Sequence, residues 1–341
     1  MISSRFRAIT KKYRGLRIAV VGDFCLDRYL EIDPARQELS IETGLPVHNV
    51  VNIRGQPGAA GTVLNNLVAL GIGTVFPVGF RGCDGEGSER ERALQRLPGV
   101  SLQHFFATQD RRTFTYTKPL LMHRGKPPEE LNRLDIKNWT PTPTAVRKRI
   151  VSAIRALASG VDAMIVLDQV DLAETGVVTR EVLAALKSVS AARPGLPILA
   201  DSRQRLRSFP PLTLKMNAVE LARFIKASRV QDLTHIQELA LTLAQRNRRA
   251  VFVTLAERGI VGALPAGEVA HMPALPLRGP IDIVGAGDSV TANLTAAVAA
   301  GATLRESLEI ASVGASVVIH QLGTTGTASV RQIGQLIGAA R

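Results

Sequence analysis

Cysteine is scarce: Cys25 and Cys83 are the only two in 341 residues, and no C-x-x-C or histidine-rich spacing accompanies them. Such a chain has no disulfide framework and no cysteine-based metal site, and its thiols suit a reducing, cytoplasmic setting. Aromatic residues make up 4% of the chain, with one tryptophan, too few for a surface that stacks nucleic-acid bases. No apolar run reaches the roughly 18 residues a membrane span needs. Residues 1–17 are basic and mixed, without the apolar stretch of an export signal. Repeats, low-complexity tracts and long linkers are also missing, which points to one domain over residues 1–341.

Charge is present in excess of one sign. Lys plus Arg number 42 against 29 Asp plus Glu, a formal net charge of +13. That balance fits nucleic acid, an acidic surface or a phosphorylated small molecule. The basic residues are dispersed, with their densest cluster at Arg5, Arg7, Lys11, Lys12, Arg14 and Arg17. A solvated basic surface is the simpler reading, and nucleic-acid binding is not expected.

The hydrophobic 45% of the chain falls into short runs that end in acids or turns. Residues 17–23, 75–79, 163–168, 198–201, 214–217 and 250–255 read as buried strands. Between them, residues 63–70, 86–97, 147–158 and 180–192 have helical character. Strands alternating with helices predict an α/β fold with a central, mostly parallel sheet. Such sheets bind ligands beyond the carboxyl ends of their strands. Asp23 stands at such an end and Asp27 soon after it. Both suit sugar hydroxyls, and both suit ordinary turn and capping chemistry. Residues 28–32, 47–53 and 114–122 alternate like exposed strands. They predict a small sheet, inserted at about 28–54 and 113–122, that lies over the site as a lid and excludes water.

Two small-residue loops stand out. Gln56-Pro57-Gly58-Ala59-Ala60-Gly61-Thr62 precedes one helix. Asp282-Ile283-Val284-Gly285-Ala286-Gly287-Asp288 opens another near Ser289. In the second, glycines let the backbone approach a ligand, and free amides at a helix start attract anions. Asp288 beside that anion site suits a base that takes a proton from an attacking hydroxyl. A glycine-rich helix cap is the plainer alternative. A third such loop, 322–327, suits the side of an adenine, and Arg133 suits an anionic substrate or a surface ion pair.

Together these pieces resemble the ribokinase-like (PfkB) family of carbohydrate kinases. Residues 282–288 match its D-T-x-G-A-G-D signature, and 57–71 resemble its N-terminal P-G-G-A-A-N segment. Within that family the chain is most similar to the heptose 7-phosphate kinase half of bifunctional ADP-heptose synthases. The likeness rests on Val21-Gly22-Asp23, Asp27-Arg28-Tyr29, Leu45-Pro46-Val47, Thr117-Lys118 and Asn132-Arg133-Leu134-Asp135. No H-x-G-H motif of the nucleotidyltransferase half is present, so the kinase activity alone is expected.

The resemblance implies a three-layer sandwich with a β lid, and ATP-dependent phosphorylation of a hydroxyl of a sugar or sugar phosphate. It implies Asp288 as the base and Gly285, Ala286 and Gly287 as the anion hole. Asp23, Asp27, Gly58, Ala59, Thr62, Lys118 and Arg133 would meet the sugar, with Arg111 a further candidate for an acceptor phosphate. Asn217, Glu220, Thr254, Gly259 and Gly323 would serve the nucleotide, with Asn217 and Glu220 organising Mg2+ indirectly. Asp282 would border a monovalent cation, K+, and the lid would pair two subunits as a homodimer. The chain departs from the family at Ala59, Thr62, Asp171, Ile283 and Gln321. Those departures keep open a catalytically degenerate relative that senses a sugar or nucleotide.

Overall fold

In the computed structural model, all residues except 204, 227–231 and 340–341 are described. The apolar runs form strands because both faces of the resulting sheet are covered. In β1 (Arg17–Gly22), Ala19 and Val21 point into one core, while Ile18 and Val20 point into the other. Each fully buried side chain of this size contributes about 1.5–3 kcal/mol, so the strand's burial outweighs any local turn preference at its ends.

Strands are numbered along the chain. The large sheet contains β1, β6 (Thr74–Gly82), β7 (Phe105–Thr108), β11 (Ala163–Asp168), β12 (Ile198–Ser202), β13 (Thr213–Asn217), β14 (Val251–Thr254), β15 (Ile260–Ala263) and β16 (Val269–Met272). Their order is β16-β15-β14-β13-β12-β11-β1-β6-β7. Neighbours from β14 to β7 run parallel, and the β15–β16 hairpin closes the other edge antiparallel. A smaller sheet orders β10 (Leu134–Ile136), β8 (Thr115–Leu121), β2 (Phe24–Ile32) and β5 (Val50–Ala59), with β9 (Glu129–Glu130) beside β8. Strands β3 (Glu38–Leu39) and β4 (Pro46–Val47) make a short ribbon.

Ten helices flank the large sheet among the described residues: α1 (Ser3–Lys11), α2 (Ala60–Ala69), α3 (Gly85–Gln95), α4 (Thr144–Leu157), α5 (Arg180–Ala192), α6 (Ala218–Ile225), α7 (Leu233–Asn247), α8 (Ala286–Ala299), α9 (Leu304–Ile319) and α10 (Val330–Ala339). One core joins the sheet to α4–α7, and the other joins it to α1, α2 and α8–α10. The layers are therefore helix, sheet, helix, with the small sheet outside them.

Two local findings differ from the sequence reading, and a third adds to it. Residues 56–59 are not a loop: they finish β5, and the helix begins at Ala60. Helix α8 begins at Ala286 rather than near Ser289, which puts Asp288 in its first turn. The charged segment after Gly85 is helical, as its sequence suggests, but one of its charges lies inside. Arg90 is completely buried and donates to the carbonyls of Phe24 and Phe80, clamping the start of β2 to the end of β6. Burial pulls its guanidinium down to about 10, so it stays charged at neutral pH.

The β5-to-α2 junction carries strain. Ala59 adopts φ 52°, ψ −117°, where its Cβ is crowded against the backbone. Such a conformation costs roughly 1–3 kcal/mol, against about 0.4–1 kcal/mol of extra chain entropy lost on folding by glycine. Ala59→Gly is therefore expected to raise unfolding stability by about 1 kcal/mol in urea titrations. An unchanged or lower midpoint at the same slope would contradict the assignment of strain.

Candidate functional site

The parallel strands bring their carboxyl ends to one edge, and α8 starts over that edge. Strand pairing sets Asp201 of β12 opposite Lys215 of β13, and Asn217 opposite Thr254 of β14. Lys215 lies within an apolar strand and is 6% exposed. A buried ammonium needs a partner, and its Nζ is 2.7 Å from Asp201 Oδ2. The same oxygen accepts from Thr291 Oγ1 of α8 at 3.2 Å. The pair thus ties the helix to the sheet just below the first turn of α8.

That turn is built for close approach. Gly285 caps α8 at φ +83°, and a Cβ there would meet Thr325 Cγ2 at 2.7 Å. Asp282 turns the chain into it: its Oδ1 accepts from the Val284 amide, and its own amide donates to the Ile319 carbonyl. The Ala286 amide, expected as part of an anion hole, donates instead to the Ile283 carbonyl at 3.2 Å, while the other amides of the first turn of α8 lie at the positive end of the helix dipole. A Cβ on Gly287 would lie 3.2 Å from Lys215 Nζ, so the buried ammonium sits beside the same turn.

Asp288 is the titratable centre. Burial pushes its carboxyl up to about 7, while Lys215 and Arg203 pull it down and Asp201 and Asp27 push it up. Asp27 reaches the same place from the base of the small sheet. Burial raises its carboxyl above the ordinary range, against the pull of Lys118, Arg133 and Arg203. Gly58 makes room for it, because a Cβ there would fall 2.6 Å from Asp27 Cγ. A carboxylate from helix α8 and one from the small sheet therefore act on one site, which also feels a buried lysine and an arginine.

Basic side chains border the Asp27 side of the site. Lys118 Nζ lies 5.0 Å from the Tyr29 ring centroid and 3.5 Å from its hydroxyl. Arg133 lies over the Tyr116 ring at 5.0 Å and pairs with Asp135 at 2.8 Å. Lys137 bridges Asp135 and Asp171. Arg203, just past β12, acts electrostatically on Asp27, Asp171 and Asp288. The sequence reading named Lys118 and Arg133 but missed Lys137, Arg203 and Lys215. Lys215 had a visible signal, a lysine inside a buried strand; the other two depend on long-range packing.

Several expected residues have other engagements. Asp23 is fully buried, and its Oδ1 and Oδ2 accept from the amides of Val177 and Gln169 at 2.7 and 3.0 Å. It clamps the 169–177 segment instead of presenting itself to a sugar, and burial raises its carboxyl to about 6. Gly259 closes the β14–β15 turn at φ +90°, where a Cβ would collide with the Met272 carbonyl at 2.0 Å. That requirement is structural. Asn217 and Glu220 form a reciprocal capping box at the start of α6, which occupies one oxygen of each side chain. Thr62 is buried in α2, 3.6 Å from the place of a Gly285 Cβ, so it backs the phosphate-side turn. Arg111 donates to the carbonyls of Thr140 and Pro141 and is a structural tie. Thr254 ends β14 beside Asn217, Gly323 turns the 322–327 loop at φ +69°, and Ala59 marks the strained junction. Among the described residues no cluster of three or more His, Cys, Asp or Glu could hold a metal by itself.

The description "pfkB family carbohydrate kinase" matches residues 17–331. The chain is 29% identical over 326 residues to the bifunctional protein HldE of Pelobacter propionicus, covering 94% of this chain and 63% of that protein. It is 31% identical over 313 residues to HldE of Azorhizobium caulinodans, covering 90% and 61%. The chain thus spans about three fifths of these relatives. In fold it is similar to Arabidopsis thaliana ribokinase complexed with ribose and ATP, with a TM-score of 0.66 and 18% identity, covering 94% of this chain and 98% of that one. It is likewise similar to Escherichia coli phosphofructokinase-2 in complex with fructose-6-phosphate, with a TM-score of 0.71 and 16% identity, covering 96% and 100%. With its ribokinase-like fold and a match over nearly its whole length, the chain belongs to the pfkB family of carbohydrate kinases.

Proposed function

We propose that this carbohydrate kinase transfers the γ-phosphoryl group of ATP to a hydroxyl of a phosphorylated sugar, with a heptose 7-phosphate-like acceptor. The observation that carries the reading is Asp288 in the first turn of α8, its carboxyl raised to about 7 at the positive end of the helix. Asp288 takes the acceptor proton, and the acceptor oxygen forms the new bond to phosphorus as the bond to the ADP oxygen breaks. The amides of Gly285 and Gly287, joined by that of Ala286 when it leaves the Ile283 carbonyl, stabilise charge on the transferred group; one such donor is worth about 3–4 kcal/mol.

Asp27 accepts from the sugar, while Lys118, Arg133, Lys137 and Arg203 favour an acceptor that carries its own phosphate. Asn217, Thr254 and the Gly323 loop flank the nucleotide. Magnesium suits a site with no protein metal cage: it would be held through phosphate and water near Glu220, where it neutralises phosphate charge. K+ would lie by Asp282, next to the end of α9. The small sheet serves as a lid inserted in one kinase domain, and the free thiols Cys25 and Cys83 support a cytoplasmic setting.

The lid also supports a homodimer. Strand β5 is its edge, and Val51 and Ile53 there are each 50% exposed. An apolar open edge invites pairing with a second copy. Light scattering after gel filtration is expected to give a dimer mass, and Ile53→Asp a monomer. A monomeric parent protein would remove this part of the reading.

The chemistry is tested by ADP release. Asp288→Asn is expected to lower kcat by about 100-fold or more, since a positioned base contributes roughly 10²–10⁴. In the parent enzyme kcat/KM should fall about tenfold per pH unit below about 7, as the base becomes protonated. Stability carries the opposite sign. The folded carboxyl binds its proton more tightly than the unfolded one, so this group makes stability decline as pH rises from about 4 to 7. Full turnover by Asp288→Asn would refute the assignment, and nucleotide binding without turnover in the parent would favour a sensor.

A further inference from the structure

The lid and the phosphate-side turn come from distant parts of the chain, yet one side chain joins them. Gln56 lies in β5 directly across from Asp27. Its Nε2 donates to Thr325 Oγ1 and lies 3.3 Å from the Tyr29 hydroxyl, while its Oε1 accepts from Thr324 Oγ1 at 3.4 Å. Tyr29 is the ring over which Lys118 and Arg54 sit, at 5.0 and 4.8 Å. On the other side, the Thr325 methyl fills the space where Gly285 lacks a Cβ. The contacts therefore run without a gap from the basic acceptor side, through Tyr29, Gln56 and Thr325, to the cap of α8.

We propose that Gln56 is a positioning residue that ties the acceptor-side lid to the phosphate-side turn through Thr325. This rests on the kinase reading for its consequence, though not for its geometry. An amide side chain suits the task because it donates and accepts at once, so one residue holds two threonines of the 322–327 loop. Tyr29 gives acceptor-side groups a route to the same amide. The loop in turn sets the position of the Gly285 cap, and displacement of about 1 Å at reacting groups is enough to cost a hundredfold in rate.

Hydrogen exchange on the full chain, without ligand, reads the tie directly. Gln56→Leu keeps the side-chain size and removes both polar atoms; Thr325→Val keeps the methyl against Gly285 and removes the hydroxyl. Thr325→Val is expected to raise exchange at 283–288 and 322–327 about tenfold, the worth of one net hydrogen bond, and Gln56→Leu at least as much, with α4 and α5 unchanged. The double variant should do no more than Gln56→Leu alone, because the Thr325 link is already broken in that variant. Unchanged exchange at 283–288, a rise spread over the whole chain in both variants, or effects that simply add would overturn the proposal. In ADP release with ATP and a heptose 7-phosphate, both variants should lose kcat about tenfold. Absence of transfer in the parent protein would refute the kinase reading alone, since the exchange result stands independently of it.

Discussion

A carboxylate and an anion-attracting helix start occupy the same turn, and the rest of the site exists to make that combination stable. Alone, Asp288 would repel a phosphate drawn to the α8 amides. Burial and the carboxylates of Asp201 and Asp27 oppose its ionisation, while Lys215 and Arg203 favour it. Lys215 can stay charged in a buried strand because Asp201 faces it at 2.7 Å and prevails over the burial that opposes its charge. The balance leaves the acid near neutrality, where it can exist in both protonation states.

The scaffold makes this balance possible by alignment. Parallel strands put Asp201, Lys215 and Asn217 on one edge, and α8 docks there through Thr291. The smaller sheet then brings Asp27 from the opposite side. Arg90 fixes the place where the two sheets diverge, holding the ends of β2 and β6 by their carbonyls. Strain at Ala59 belongs to the same junction: the chain must turn from the lid into α2 within one residue. The small sheet, the α8 turn and the 322–327 loop meet at Gln56 and Thr325.

The architecture was legible because burial on both faces leaves continuous apolar runs, and the α8 turn was legible because its glycines and acids are contiguous. The β15–β16 hairpin, with weaker patterning, escaped the sequence reading. Residues whose roles depend on distant partners were the least readable. Asp23 ends a strand exactly as a ligand-binding acid would, and only the amides of Gln169 and Val177 show it to be a clamp. Gly259 looks like a nucleotide-side glycine until the Met272 carbonyl is seen against it. Asn217 and Glu220 carry a pattern that serves a helix cap as well as a phosphate site. Arg203 and Lys137 follow ordinary strand ends, and nothing local marks them.

Phosphorus NMR of the parent protein with ATP, magnesium and a heptose 7-phosphate tests the central claim most directly. The account predicts that the γ-phosphate signal disappears as ADP and one new sugar phosphate ester appear in equal amounts. Persistence of ATP, or its conversion to ADP and inorganic phosphate with no new ester, would contradict transfer to this acceptor.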